Sequence, residues 1–167
     1  NLRQQQTKTI GVIVPRLNSY FMATVISGIE HVANEAGYNL LISQSSELPD
    51  RENAIAKTMF NNRVDGVLVS LSYLTGSLQH FNRSSQKNIP VIFFDRTFET
   101  EIYTNIRINN IQAGYDATKH LLEKGCRRIL HVSVSSTHSI YQERFKGYAK
   151  ALQEFGIPLH MDYVHLG

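Results

Sequence analysis

From Thr9 onward the chain alternates short apolar runs with longer stretches in which apolar residues return every three or four positions. The first run, Ile10 to Val14, is rich in β-branched residues and reads as a buried strand. Pro15 ends it, and Asn18 or Ser19 offers a side-chain oxygen to cap a helix. Phe21, Val25, Ile29, Val32 and Ala36 then share one helical face, Gly37 takes the position after the helix, and Tyr38 to Ser43 forms a second strand. This is a βαβ unit with an expected right-handed crossover. Its strand ends, near Pro15 to Phe21 and Ser43 to Ser46, form the edge at which an open α/β sheet holds ligands.

The alternation continues. Pro49 opens a helix with Ile55, Met59 and Asn62 on one face, and Val64 to Val69 is strand three. Thr75 or Ser77 starts a helix that turns Leu78 and Phe81 inward and fades by Asn88. Ile89 to Phe94 is strand four, with Pro90 near its start, where a missing N–H is tolerated. Tyr103 to Ile108 is a further short strand. The order β-α-β-α-β-α-β-β predicts an open, mostly parallel α/β sheet. A second half follows, with a helix from Ile111 to Lys124 that turns Ile111, Tyr115, Thr118, Leu121 and Leu122 inward and stops at Gly125. Ile129 to Ser133 is a strand, Phe145, Tyr148, Ala149, Leu152 and Phe155 mark a helix ending at Gly156, and Tyr163 to Leu166 is one more strand. These elements begin a second α/β lobe without completing it. Residues 1 to 8 are polar, lack apolar periodicity and read as a linker.

Composition narrows the class without naming a function. Of 167 residues, 42% are hydrophobic and 19% charged, which is enough apolar surface for a sizeable core. The formal charge of +3 is spread along the chain with no Lys/Arg cluster, so it does not by itself indicate nucleic-acid binding. The single Cys126 excludes an internal disulfide framework, fits a reducing, cytoplasmic compartment, and reads as an inert structural thiol. No apolar run approaches the ~18 residues of a membrane span, and none expects a membrane partner. The sequence has no glycine-rich phosphate loop, no GxSxG, no HExxH and no CxxC. The seven histidines are scattered, with only His160 and His165 close together, and the carboxylates form no acid/base pair. An enzyme, a metal site and a cofactor are therefore not expected.

An ordered set of short motifs carries a resemblance. Ile10 to Pro15, Asn18 with Tyr20 and Phe21, Gly28 to Glu30, Gly37 and Tyr38, and Val64 to Gly66 come first. Ile89 to Val91 with Asp95 and Arg96, Asn110 with Ala113 and Gly114, His120 to Leu122 with Gly125, and Arg144 with Gly147 complete it. In order and spacing this resembles the LacI/GalR transcriptional regulators over nearly the whole chain. The resemblance implies a periplasmic-binding-protein-like effector domain of two lobes, with parallel sheets flanked by helices and the second lobe incomplete. It implies that residues 1–8 lead from a DNA-binding hinge, 9–109 form the N-terminal lobe and 110–167 begin the C-terminal lobe. Ser19 stands where the family often has proline, Asn109 where aspartate is common, and Cys126 where histidine is common.

Candidate ligand contacts come from the strand ends. Tyr20 and Phe21 place aromatic faces where a sugar or base ring could stack, although Phe21 could equally be the first core residue of its helix. Asn18 is a candidate contact or only a cap. Ser70 and Ser72 bring hydroxyls past strand three, where serines are also ordinary loop residues. Asp95 can accept two sugar hydroxyls and Arg96 supplies a fork of donors, unless the two only shape their loop. The resemblance carries the family's effector-contacting arginine onto Arg144, whose alternative is an exposed surface position; His138, in the loop before that helix, is a weaker candidate. The implied partners are a small-molecule effector (a sugar, a sugar phosphate or next a purine), operator DNA through a domain outside this sequence, and a second subunit. Effector binding in an inter-lobe cleft would change operator affinity. An extracytoplasmic sugar-binding protein of a transport system is the rival reading, since fold does not settle function.

Overall fold

The computed structural model describes residues 6–82, 88–98, 100, 102–134 and 138–167. Two compact units divide the chain: one holds Asn1–Phe94 and Thr100–Ile106, the other Asp95–Glu99 and Arg107–Gly167.

The first unit is built on five parallel strands, β1 (Thr9–Val14), β2 (Asn39–Gln44), β3 (Gly66–Val69), β4 (Val91–Phe94) and β5 (Thr104–Ile106), in the order β2-β1-β3-β4-β5. The expected open parallel sheet is therefore present, although strands three and four start two residues later than their apolar runs. Helix α1 (Tyr20–Glu35) and helix α2 (Pro49–Asn61) cover opposite faces. Side chains alternate across a strand, so Val12, Val14, Leu40, Leu68 and Phe94 meet Met22, Val25, Ile26 and Ile29 of α1. Gly11, one step out of phase, faces α2: a Cβ there would lie 2.9 Å from Met59 Sδ.

The phase of α1 differs from the expected stripe. Met22 and Ala33 are buried, whereas Phe21 and Val32 are 54% and 65% exposed. Two apolar stripes lie side by side on this helix, and the sheet takes the one running through Met22, Val25, Ile26, Ile29 and Ala33. On α2 the inward stripe is Glu52, Ala56, Met59 and Phe60, and Asn62 is the exposed C-cap. The helix expected between Thr75 and Asn88 lies partly outside the described residues; its described part holds a 3-10 turn, Gln79–Phe81, with Phe81 buried.

The second unit contains helix α3 (Asn110–Glu123), strand β6 (His131–Ser133), helix α4 (Ser139–Glu154) and strand β7 (Val164–Leu166). β6 and β7 form a two-stranded parallel sheet. Leu122, Ile129, Tyr148, Ala151 and Leu152 form the core, joined by Tyr115, Phe145, Ile157 and Val164. α4 starts earlier than its apolar pattern shows, because Ile140 opens the inward stripe and the polar run Gln142 to Arg144 hides it. The helices α3 and α4 touch backbone to backbone: a Cβ on Gly114 would sit 2.3 Å from Arg144 O, and one on Gly147 2.1 Å from Ile111 O. Gly37 closes α1 in the left-handed region at φ 75°, where a Cβ is disfavoured, and Gly125 and Gly156 do the same for α3 and α4.

Candidate functional site

The carboxyl-terminal strand ends of the first unit are held together by side chains. Pro15 has no N–H to continue the β1 ladder. Ser19, and not Asn18, caps α1: its Oγ accepts the Met22 N–H at 3.4 Å, and Asn18 is exposed. Tyr20 and Phe21 occupy the first helical positions ahead of the inward stripe, which begins at Met22. Tyr20 is 91% exposed, and Phe21 lies outside the core.

The same sheet edge holds a polar lattice centred on Glu52, a fully buried carboxylate. It accepts from the Ser72 N–H at 2.6 Å and the Thr75 hydroxyl at 3.1 Å, and pairs with His80 Nε2 at 2.9 Å. A carboxylate taken out of water is tolerated only when such donors replace its hydration. The Ser72 and Ser45 hydroxyls lie 2.7 Å apart, tying the end of β2 to the loop after β3. Gln44 Oε1 accepts the Leu17 N–H at 2.8 Å, and Glu47 accepts the Tyr73 N–H at 3.0 Å while lying 3.8 Å from Arg16. The loops after three neighbouring strands are thus stitched into one edge. Ser70 and Ser72, expected as loop hydroxyls, are both fully buried, and the Ser70 hydroxyl has no hydrogen-bond partner among the described residues.

Sequence reasoning missed this lattice. The signal available was an acid on an apolar helical stripe: Glu52 precedes Ala56, Met59 and Phe60 at helical spacing and shares their burial. Ser45, Thr75 and His80 carried no comparable signal.

Asp95, Arg96, His138 and Arg144 all belong to the second unit. Asp95 directly follows β4 and adopts φ 58°, a left-handed conformation that aspartate tolerates better than most residues. His138 precedes α4 and is 1% exposed, with its ring edge-on to Phe98 at 5.6 Å. Arg144 is half-buried on α4 and donates from Nε to Asn110 Oδ1 at 3.0 Å. Its remaining guanidinium N–H groups make no hydrogen bond among the described residues. Asn109 caps α3 by accepting the Gln112 N–H at 3.0 Å, a task that its amide oxygen performs as an aspartate would. The motif residues Asn110, Gly114, Arg144 and Gly147 therefore meet in one helix–helix contact.

Three ionisable groups among the described residues of the second unit are displaced, one of them Tyr148, whose pKa burial raises above 10.0. Burial lowers the His131 pKa below its usual 6.5, and the ring stacks on Tyr148 at 5.1 Å. The Tyr115 hydroxyl donates to Glu154 at 2.6 Å, and that bond, ahead of burial and nearby carboxylates, raises its pKa above 10.0. Among the described residues no group of three or more His, Cys, Asp or Glu side chains could hold a metal ion. None of their helices is long and apolar enough to cross a membrane.

A five-stranded parallel sheet with helices on both faces and a buried polar lattice among its strand-end loops, followed by a second α/β unit, defines a doubly wound α/β protein. The chain belongs to the periplasmic binding proteins and sugar-binding domains of the LacI family, whose model matches residues 7–167. It is 29% identical over 166 residues to catabolite control protein A of Priestia megaterium, covering 98% of this chain and 49% of that protein. It is 31% identical over 164 residues to the HTH-type transcriptional repressor PurR of Photobacterium profundum, covering 98% of this chain and 49% of that protein. Among solved structures, the Cra transcriptional dual regulator of Pseudomonas putida, in complex with fructose 1-phosphate, superposes with a TM-score of 0.86 at 25% identity. That match covers 97% of this chain and 58% of that one. The chain spans about half the length of the curated relatives it matches. Those relatives are named for the control of transcription, not for catalysis.

Proposed function

We propose that this chain is the effector-sensing part of a cytoplasmic, dimeric transcriptional regulator, and that its ligand is a sugar or sugar phosphate. The observation that carries the reading is the family match across residues 7–167 together with relatives named as transcriptional regulators. The same names favour a regulator over a transport receptor. The fructose 1-phosphate bound by the Cra regulator supports a phosphorylated sugar as the ligand class.

In this reading, the first unit supplies one lobe and the second unit begins the other. Tyr20 and Phe21 stack on the sugar ring, Asn18 offers a polar contact, and Asp95 accepts ring hydroxyls. Arg96 and Arg144 receive the anionic or hydroxylated end through guanidinium N–H groups. Ser70, Ser72 and His138, all buried, shape the site from behind. The ligand acts by favouring one lobe arrangement over another, and it transmits a signal only as far as its affinities for the two arrangements differ. Operator DNA is contacted by a part of the protein outside this chain.

A thermal-shift screen of sugars and sugar phosphates tests this. A ligand at about a hundred times its Kd stabilises the folded state by ~2.7 kcal/mol. The expected result is a raised melting temperature with a sugar phosphate that Tyr20→Ala and Arg144→Ala abolish. A flat response across the panel, or shifts that survive both substitutions, rejects the reading. In a gel-shift assay this chain alone is expected to bind no duplex sequence specifically.

A further inference from the structure

At the opposite edge of the first sheet, where β1 and β3 begin, the incoming chain is fastened at two residues. The Asp65 carboxylate accepts the backbone N–H of Thr7 at 3.1 Å on one oxygen and that of Lys8 at 2.9 Å on the other. The Thr7 hydroxyl donates to Arg63 O at 3.0 Å and lies 3.3 Å from Asp65 Oδ1. Lys8 adopts φ 51°, which bends the chain sharply as it enters the strand. Its carbonyl accepts the Asn39 N–H at 2.8 Å, and its ammonium lies 4.6 Å from the Tyr38 ring centroid. Asp65 in turn donates its own N–H to Thr9 O at 2.8 Å.

A surface loop needs none of this. Hydrogen bonds from backbone N–H groups to a carboxylate are among the stronger kinds, and a forked pair fixes direction as well as position. Without them, residues 7 and 8 would be a solvated lead-in free to swing about the start of β1. β1 then runs as one rigid strand, six residues or about 20 Å long, from this fastening to the lattice at Pro15 and Glu52.

We infer that Asp65 is a positioning residue: it sets the place and direction in which the segment ahead of Thr7 leaves the first unit. The inference rests on the proposed function, in which that segment leads to the DNA-binding part. Fixing the exit lowers the number of orientations that part explores, so a larger fraction of molecules is competent to bind.

The test uses the gene product that carries this chain, with Asp65→Asn and Thr7→Val beside the unchanged protein. Asp65→Asn keeps the shape but turns an amide toward one N–H, whereas Thr7→Val removes the hydroxyl bonds and leaves β3 untouched. The DNA probe is duplex selected from a random pool on the unchanged protein. Hydrogen exchange at Thr7 and Lys8 reports whether the fastening has opened, and the sugar-phosphate thermal shift reports the effector site. Asp65→Asn is expected to speed exchange at both amides and weaken duplex binding about tenfold with the thermal shift intact. Thr7→Val should produce a smaller change in the same direction. Faster exchange with duplex affinity held within about twofold, or unchanged exchange in Asp65→Asn, overturns the inference alone. An unchanged protein that selects no duplex removes the proposed function and the inference with it.

Discussion

The two units solve the problem of placing functional groups in opposite ways. In the first, three strand-end loops are tied by side chains around a buried carboxylate, Glu52, and the aromatics Tyr20 and Phe21 lie outside the core. In the second, two helices press so closely that their backbones touch at Gly114 and Gly147, and Arg144 is oriented across that contact by Asn110. The first arrangement is a polar network whose parts can be exchanged only together. The second has no room for a single added carbon. Loops held by hydrogen bonds can adjust to a ligand by small rearrangements, whereas interlocked helices move as one body.

The largest effects belong to the helix pair. Gly147→Ala would drive a methyl group into Ile111 O and the Tyr115 amide nitrogen, and no flexible side chain is there to yield. Overpacking against backbone places this at about 4 kcal/mol, the upper end of single-residue effects. Gly114→Ala, against Arg144 O, should be comparable. Denaturant unfolding measures both, and a loss under about 1 kcal/mol would mean the helices can part, erasing the contrast between the units.

Next comes the buried charge. Glu52→Ala leaves the Ser72 N–H, the Thr75 hydroxyl and His80 without their acceptor in a dry site, at a cost of about 3 kcal/mol. Glu52→Gln keeps the volume but turns an amide donor toward other donors, so it should recover only part of that. If Glu52→Gln matched the unchanged protein in chemical denaturation, the charge would not be what organises the strand ends.

What the sequence made legible follows from what each signal encodes. Apolar runs and their spacing report burial, so the parallel sheet, its helices and the glycine stops at Gly37, Gly125 and Gly156 could be anticipated. Helix phase was misjudged on α1 because Phe21 and Val32 are as apolar as Met22 and Ile26, and only the sheet decides which stripe is covered. Capping by Ser19 in place of Asn18 was a choice between two competent oxygens one residue apart. The Glu52 lattice was hidden for a deeper reason: hydrogen bonds from residue 52 to 72, 75 and 80 depend on where loops fall in space, and loops leave no periodicity. The motif residues Asn110, Gly114, Arg144 and Gly147 were recognised as a pattern, but their mutual contact was not.

The second unit also carries a pH-dependent element. Burial holds the His131 pKa below 6.5, so the fold favours the neutral ring. The unfolded chain therefore binds the extra proton first, and stability that is full above about pH 6.5 falls as the pH drops below that value. His131→Gln should flatten this part of the stability profile between neutral and mildly acid pH, as followed by melting temperature against pH. An unaltered profile would show that some other group governs the acid limb.

The smallest expected change in stability is at Tyr20, and it sharpens the comparison most. At 91% exposure its ring buries almost no apolar surface, and among the described residues no hydrogen bond from its side chain holds the helix start, which Ser19 already caps. Tyr20→Ala should therefore leave the unfolding free energy within about 0.5 kcal/mol of the unchanged protein. Ser19→Ala, one residue away, should cost about 0.5 kcal/mol, low for a cap because its bond is 3.4 Å long. A large exposed aromatic that stabilises nothing has no structural reason to be there. Loss of the sugar-phosphate thermal shift in Tyr20→Ala, with the unliganded melting temperature unchanged, would assign its ring to the ligand. Destabilisation of the unliganded protein by more than the Ser19 cap would assign it to the fold instead.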